Sequence, residues 1–490
     1  MMQPLKKQLL ASRISVSSVT EQTVGQSVVV GGWVLFSRRQ QQLVFVKLSD
    51  SAESKFDPLQ VIFKKSDYPE AFNTLDHLCV GYSLLVKGTI VLSPAKGQKF
   101  EMQAEQFVIL GKVDQPSLFP SAKAELTTEY TRSTIAHLEC HLPFKAAIYS
   151  TREKLMRAIE RFFTIHKYGK RDMPLITFSE CEGGCQPMQA TLFLTSGKLL
   201  DIPMKNDKNT IDFTKDFFGT KASLTVSAQL ELETQLPLGD SWTVTRAIRG
   251  EPSQTTKHLC EFTMIELEKA FSSGSHDIID ITQKLIKYCI KFALQHCDQE
   301  LAFLETKCGK QLRDTLKTYF ETPFVEITHA EAITMIKSQP NKFTVIPSYD
   351  DDLSSEHEKF IVDLYKLPVV VKKYPKAVKA FYMPIVQETL QESHGVKHVD
   401  SFDILVPDVG ELVGGSQRID DIDELTHRIK ELGLDEKALE FYIDMRRKGS
   451  IPHGGMGMGF ERLIKFITGV ESVKDCVPFP RYLGSGKVHI

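Results

Sequence analysis

Toward its C-terminal end the chain reads His453-Gly454-Gly455-Met456-Gly457-Met458-Gly459-Phe460-Glu461-Arg462-Leu463. Glycines this close together have no Cβ to keep a flat ligand or a neighbouring backbone at a distance, so the segment suits a floor against which something lies. Arg462 follows where a helix would open and supplies a fixed planar cation. Two readings fit: a nucleotide held by base and phosphates, or a close-packed strand-to-helix turn with a surface arginine. The rest of the chain has to choose between them.

At 490 residues and 42% hydrophobic, the chain can bury more than one core, so two or three domains are expected. The formal charge is -2, from 60 Lys+Arg against 62 Asp+Glu, so a nucleic-acid partner would have to be met by local patches. Nine cysteines form no CxxC pair, and only Cys181 and Cys185 are close together. That argues for reduced thiols and against a zinc site. Met1 to Thr20 carries basic residues without a sustained apolar run, and no stretch reaches transmembrane length. A cytoplasmic protein with no membrane association is expected, an organellar matrix being the other compartment that fits.

Five β-rich runs separated by polar turns fall at Ser27–Phe36, Leu43–Asp50, Leu59–Phe63, Ser83–Ser93 and Lys99–Leu110. Strands of that length in so short a span predict a small barrel of the OB type over 1–112. A linker is expected over 113–135, around Pro116 and Pro120. A larger α+β domain is expected over 136–490, opening with a helix at Ala147–His166 and a strand at Met173–Phe178. A helical insertion is expected within it over about 268–345. Later strands are expected at Val369–Val371, Ala380–Met383 and Phe402–Val406.

Val244 to Glu251 and His258 to Glu266 have the pattern of a long hairpin. Alternation sets Arg249 and Glu251 on one face of its first arm, and Phe262 with Met264 opposite Glu261 on its second. An arginine so placed can clamp a phosphate, a carboxylate can accept from a base amino group, and Phe262 can stack on a purine. The same pattern also describes a solvated hairpin with cross-strand ion pairs. Asp403 and Glu411 flank a loop before Gly414 and Gly415, and oxygen ligands beside such an opening suit Mg²⁺ that also holds nucleotide phosphates. Glu356-His357-Glu358 is not HExxH and reads as a surface helix cluster.

In order, these motifs resemble the three signatures of class II aminoacyl-tRNA synthetases, and most closely those of the asparaginyl enzymes. Met173-Pro174-Leu175-Ile176-Thr177 with Ser179 to Gly184 is similar to motif 1, Arg249-Gly250-Glu251 to motif 2, and Gly457 to Arg462 to motif 3. Leu224 to Leu230, Asp352 to Glu358, Tyr374-Pro375-Lys376 and Gly410 to Arg418 resemble further family segments. The resemblance covers nearly the whole chain and implies an antiparallel catalytic sheet flanked by helices behind the barrel. It implies ATP-dependent ligation of L-asparagine to tRNA(Asn) with Mg²⁺, by a homodimer built on motif 1. ATP would be bound by Arg249, Glu251, His258, Phe262, Glu411, Gly459 and Arg462, with Arg249, Glu251 and Arg462 as the catalytic residues, the two arginines on the phosphates. Glu182, Ser227 and Gln229 would hold the amino end of asparagine, Arg418 its side-chain carbonyl, and Asp403 with Glu411 the metal.

Aspartyl enzymes of this scaffold place a lysine three residues after the glutamine matching Gln229. Here that position is Leu232. A carboxylate substrate would lack its cation there, so the neutral amide is favoured. Ile248, Gly250 and Arg246 depart from the usual motif 2 residues, and Ala136 to Phe144 lacks the arginines common in relatives. On the barrel, Trp33, Phe36, Arg38, Arg39, Gln42 and Phe45 combine aromatics with cations, as base-stacking OB surfaces do. Arg38 and Phe45 are the expected anticodon contacts. An aspartyl or non-discriminating synthetase, and a catalytically silent tRNA-binding paralogue, are the rival readings.

Overall fold

A computed structural model of the chain describes every residue except 1, 70–74, 76–77, 95–96, 116–118, 121–126, 180–186, 196, 208, 254, 389–393 and 488–490. The chain divides into two compact units. Residues 1–153, 299–307 and 486–490 form one, and 154–298 with 308–485 the other.

The first unit is built on strands β1 Ser27–Arg39, β2 Leu43–Ser49, β3 Leu59–Lys64, β4 Ser83–Leu92 and β5 Phe100–Gly111. They run in the order β1-β2-β3-β5-β4, and β4 pairs back onto β1, so the sheet closes on itself. β3 alternates buried and half-buried residues along its whole length, the period-2 signature of a strand with one face inward. The inward residues Val30, Val34, Val46, Leu48, Val61, Phe63, Leu84 and Met102 make a single core. Helix α1, Met2–Ala11, packs Leu9 beside Val29, Leu85 and Val108. The period-2 pattern of the strands is why the barrel could be read from sequence.

The second unit centres on an eight-stranded sheet. Its strands are β6 Gly169–Lys170, β7 Ser241–Ile248, β8 Glu261–Ala270, β9 Val325–Thr328, β10 Val369–Lys372, β11 Ser401–Val406, β12 Gly410–Gln417 and β13 His453–Gly459. The order is β9-β10-β11-β12-β13-β8-β7-β6, antiparallel throughout except for the two edge pairings β9–β10 and β7–β6. The long helix α2, Pro143–Ile165, and the amphipathic helices that follow surround this sheet in sequence, which makes the fold class α+β. Helix α3, Gln229–Glu233, precedes β7, and helix α4, Ser275–His296, follows β8.

Two elements differ from expectation. The helical stretch runs from Ser275 to Glu321, as α4, α5 Asp298–Cys308 and α6 Leu312–Glu321, rather than over 268–345. Glu268 to Ala270 complete β8, although Glu, Lys and Ala favour helix, because they pair with Gly455 to His453 of β13. Ala380 to Met383 is a turn, not a strand, and its apolar content comes from Phe381 and Tyr382 sealing a core with Leu425, Ile429 and Tyr442.

Candidate active site

The period of two decides what β8 presents. Ile265 and Leu267 are fully buried on one face, and the other face reads Phe262, Met264, Glu266, Glu268 in a line. Opposite them on β13 stand glycines: Gly459 pairs with Met264, Gly457 with Glu266 and Gly455 with Glu268. Met456 and Met458 point into the core instead. The glycine run is therefore a floor, open on the face that carries the polar side chains.

One end of this face opens into a cavity of about 260 Å³. Its lining brings together Arg249, Glu251, His258, Phe262, Glu411, Gly459 and Arg462, the whole set expected to bind nucleotide. The Arg249 guanidinium lies 5.4 Å from the centre of the Phe262 ring and donates to the Val226 carbonyl at 3.3 Å. Leu259, Val473 and Val477 pack beside Phe262, making an apolar slot next to the cation. Arg462 lies in the first turn of helix α7, Phe460–Thr468, and donates to the Glu411 carbonyl at 2.7 Å and to its carboxylate at 3.3 Å. Glu461, one residue earlier, accepts from the Thr263 amide and hydroxyl, which fixes α7 to β8. His258 shares Nδ1 with the hydroxyls of Ser253 and Thr255, and its Nε2 lies 4.0 Å from Glu251. Burial, then the Arg462 charge, pushes its imidazole below the ordinary value. Such a slot with two arginines suits a purine and its phosphates.

At the other end lie the residues expected to hold an amino acid. Ser227 donates to Glu266, whose carboxylate also takes the Ala228 amide at 3.1 Å. Gln229 donates from Nε2 to Glu233 at 3.1 Å. Arg418 donates to Glu268 from Nη2 at 2.6 Å and to Ser416 from Nη1 at 2.6 Å, and its guanidinium lies 5.0 Å from the Tyr382 ring centre. Glu182 falls outside the described residues.

The carboxylates Asp403 and Glu411 converge on Gly414, where a Cβ would lie 3.4 Å from one and 3.3 Å from the other. Each already has a cation: Lys379 donates to Asp403 at 2.8 Å, as Arg462 does to Glu411. Burial pushes the Asp403 carboxyl up, against the pull of Lys379. Among the described residues no three His, Cys, Asp or Glu side chains group as a metal cage. Two carboxylates beside a glycine opening fit Mg²⁺, which takes few protein ligands when phosphates supply the rest. Glu356-His357-Glu358 is not the surface cluster its sequence suggested. His357 is buried, and Glu358 turns inward to accept the Glu411 amide at 3.2 Å. Burial, then the Glu411 charge, pushes its carboxyl up to about 7.

On the barrel, Arg38 and Phe45 are cross-strand partners on the outer face, Arg38 exposed and Phe45 half-buried. Phe36 pairs with Lys47 on the same two strands, and Gln60 of β3 follows Lys47, so cations and aromatics form one surface. Trp33 and Phe36 are 44% and 47% exposed, so neither is barrel core.

Sequence reasoning missed Glu233, Glu266, Glu268, Lys379 and Arg446. Glu266 and Glu268 had a signal, since they continue the alternation of Phe262 and Met264. The others are brought in by partners far along the chain.

The family described as tRNA synthetases class II (D, K and N) matches residues 128–483, and an OB-fold nucleic acid binding domain matches 28–110. The chain is 37% identical to the asparagine–tRNA ligase of Treponema denticola, over 94% of this chain and 97% of that one. It is 38% identical to that of Yersinia pestis, over 94% and 95%. Among solved structures, asparaginyl-tRNA synthetase from Pyrococcus horikoshii complexed with asparaginyl-adenylate superposes with a TM-score of 0.81 at 28% identity, covering 96% of this chain and 98% of the other. With an OB barrel at 28–110 in sequence before a catalytic-domain match over 128–483, and 37–38% identity to asparagine–tRNA ligases over 94% of its length, the chain belongs to the asparaginyl-tRNA synthetases of class II.

Proposed function

We propose that the two ends of the β8 face divide the family's reaction between them. The reaction is ATP-dependent ligation of L-asparagine to tRNA through an asparaginyl-adenylate. Adenine stacks in the slot of Phe262, with Glu251 and His258 at the hairpin turn. Arg249 binds the α-phosphate and the asparagine carboxylate, and Arg462 the outer phosphates. Ser227 and Gln229, with Glu182, hold the α-amino end, and Arg418 donates to the side-chain carbonyl.

A carboxylate oxygen of asparagine attacks the α-phosphorus, and the bond to the bridging oxygen breaks to release pyrophosphate. The terminal hydroxyl of tRNA(Asn) then takes the acyl group and AMP leaves. No protein nucleophile is needed, because Arg249 and Arg462 neutralise charge as it develops on phosphate oxygens and hold the reactants in line. Glu411 with Asp403 would hold Mg²⁺, which supplies further positive charge to the phosphates when bound.

Arg38 and Phe45 meet the anticodon. Leu175, Phe178, Phe217 and Phe218, each at least 40% exposed, surround the short strand Ile176–Thr177 of motif 1 and support a homodimer. Among the described residues no helix is long and apolar enough to cross a membrane. A cytoplasmic setting is in keeping with that and with the free cysteines.

The observation that carries this reading is the unbroken face from Phe262 to Glu268 over the glycines of β13. Arg249→Ala tests it: pyrophosphate exchange should vanish while the variant melts as the parent does. Near-normal exchange in a folded variant would sink the assignment.

A further inference from the structure

Glu356-His357-Glu358 has no part in the substrate roles above, yet the fold fixes all three side chains. They lie in the first turns of the helix Ser355–Tyr365, whose N-cap is Ser354. His357 accepts the Ser354 amide on Nδ1 at 3.1 Å, so its Nε2 carries the proton and donates to the Val345 carbonyl at 2.9 Å. The Glu356 carboxylate takes the amides of Thr344 and Val345 at 3.1 and 3.3 Å. The start of the helix is thus pinned from outside. Ile361 and Val362 are buried with Val371 and Leu405 of the sheet, and residues three and four apart share one helix face. That face carries Glu358 inward as well. Its carboxylate accepts the Glu411 amide at 3.2 Å and lies 4.0 Å from Lys257 Nζ, where Lys257, Glu411 and Arg462 line the nucleotide cavity. Gly410, at φ +86°, permits this approach, since a Cβ there would lie 2.2 Å from Glu358 Oε2 and 3.0 Å from Lys257 Nζ.

We infer that Glu358 is a positioning residue for adenylate formation, which locks the start of β12 at Gly410 and Glu411 against the turn of the β7–β8 hairpin and holds Lys257 at the outer-phosphate end of the cavity. This role rests on the reaction proposed above, with Arg462 on the outer phosphates. Lys257 and Glu411 come from two different parts of the chain, whereas Glu358 projects from a pinned helix and meets both. Fixing the two before ATP arrives removes the cost of ordering them on binding, and a misplacement of about 1 Å in such a site costs on the order of a hundredfold in rate. A lysine gains most from such a hold, because its ammonium is a point charge on a flexible stem with no fork to fix its direction. An acid near the start of a helix also favours the helix dipole, but that acts on stability and not on the nucleotide.

Full-length variants test this in ATP–pyrophosphate exchange, with KM measured for ATP and for asparagine. Glu358→Ala should raise the ATP KM by about tenfold or more, the scale of a lost charge-assisted hydrogen bond, and leave the asparagine KM as in the parent. Lys257→Met should do the same. The double variant should fall short of the product of the two effects, because a lysine without its holder has less to lose. ATP should also raise the melting temperature of Glu358→Ala by less than that of the parent. A parent-like ATP KM in Glu358→Ala, a parallel rise in both KM values, or a double variant equal to the product would each overturn the inference. If Glu358→Ala does not fold, Glu358→Gln decides. It keeps the shape and an oxygen for the Glu411 amide but offers Lys257 no charge, so its ATP KM should still rise, and a parent-like value would overturn the role. Exchange retained in Arg249→Ala would remove the underlying reaction at this cavity, and the role of Glu358 with it. Exchange lost there, with the ATP KM unmoved in Glu358→Ala, would remove the role of Glu358 alone.

Discussion

Replacing Gly455, Gly457 and Gly459 one at a time by alanine separates what each glycine of β13 is for. A methyl carbon at 455 would lie 2.1 Å from Glu268 Oε1, 2.2 Å from its carboxyl carbon and 2.3 Å from the Leu267 carbonyl oxygen. The carbonyl is part of β8 and cannot retreat without loosening the β8–β13 ladder, so the carboxylate must leave Arg418. Separating a buried pair so that each charge stands alone costs about 3–5 kcal/mol. At 457 the nearest obstruction is the terminal methyl of Met264 at 2.6 Å, a flexible end that can swing aside for about 1 kcal/mol. At 459 the nearest atom is 3.4 Å away and the backbone is extended at φ -70°. Alanine there is neutral or stabilises by up to about 1 kcal/mol, through the less flexible unfolded chain. Denaturant unfolding of the three variants should therefore rank them 459, 457, 455 from most to least stable. In pyrophosphate exchange Gly455→Ala should also raise the asparagine KM by about ten- to a hundredfold, the scale of a lost charge-assisted hydrogen bond. A Gly455→Ala protein as stable as the parent, or a reversed ranking, would refute the idea that the glycine exists to seat Glu268 against Arg418.

Three further outcomes follow from the same contacts. Lys379→Met leaves Asp403 buried without its cation and should destabilise the second unit by about 3–5 kcal/mol, most of it recovered in the double variant Lys379→Met, Asp403→Asn, as a double-mutant cycle would show. Glu431 accepts from Lys376 and Arg428, and these hydrogen bonds hold its carboxyl at about 2 against an ordinary 4.5. The folded value lies below the unfolded one, so its stabilisation is present above pH 4.5 and is lost as pH falls toward 2. Glu431→Gln should flatten the acid limb of a stability–pH curve in that window and leave the rest of the curve unchanged in shape. Phe45→Ala should raise KM for tRNA by about tenfold or more, the scale of one base-stacking contact, without altering tRNA-free exchange. Loss of exchange in that variant would contradict a purely anticodon role.

Much of this was legible in the amino-acid order because it depends on short-range periodicity. β3 alternates along its whole length, and the ends of all five barrel strands fall within three residues of those expected from sequence. The hairpin of β7 and β8, and the glycine floor, were legible for the same reason, their spacing being the period of a strand, but β7 ends at Ile248 and leaves Arg249 and Glu251 in the turn beyond it rather than on the strand face expected for them. What was not legible depends on distant partners. Glu268, Lys269 and Ala270 favour helix locally and become strand only because β13 lies beside them. Glu233 meets Arg446 and His453 across 213 and 220 residues, and Arg418 meets Glu268 across 150. Nothing near Glu233 in sequence distinguishes it from the half-buried Glu231 two residues earlier, which accepts from Thr177 at 2.8 Å, until those cations close around it. Glu358 was misread for the same reason, since its inward turn is set by the Glu411 amide. Asp403 was read as a free ligand, whereas Lys379, which pairs with it, lies 24 residues away, just before a segment expected to be strand.

The central claim is that one β8 face joins an adenylate-forming slot to a site selective for an amide. ATP–pyrophosphate exchange without tRNA, with asparagine and aspartate side by side, tests it most directly. The account predicts exchange with asparagine and none above background with aspartate at the same concentration. Exchange driven equally well by aspartate would contradict an amide-selective site at Arg418, and no exchange with either would contradict the assignment of catalysis to this face.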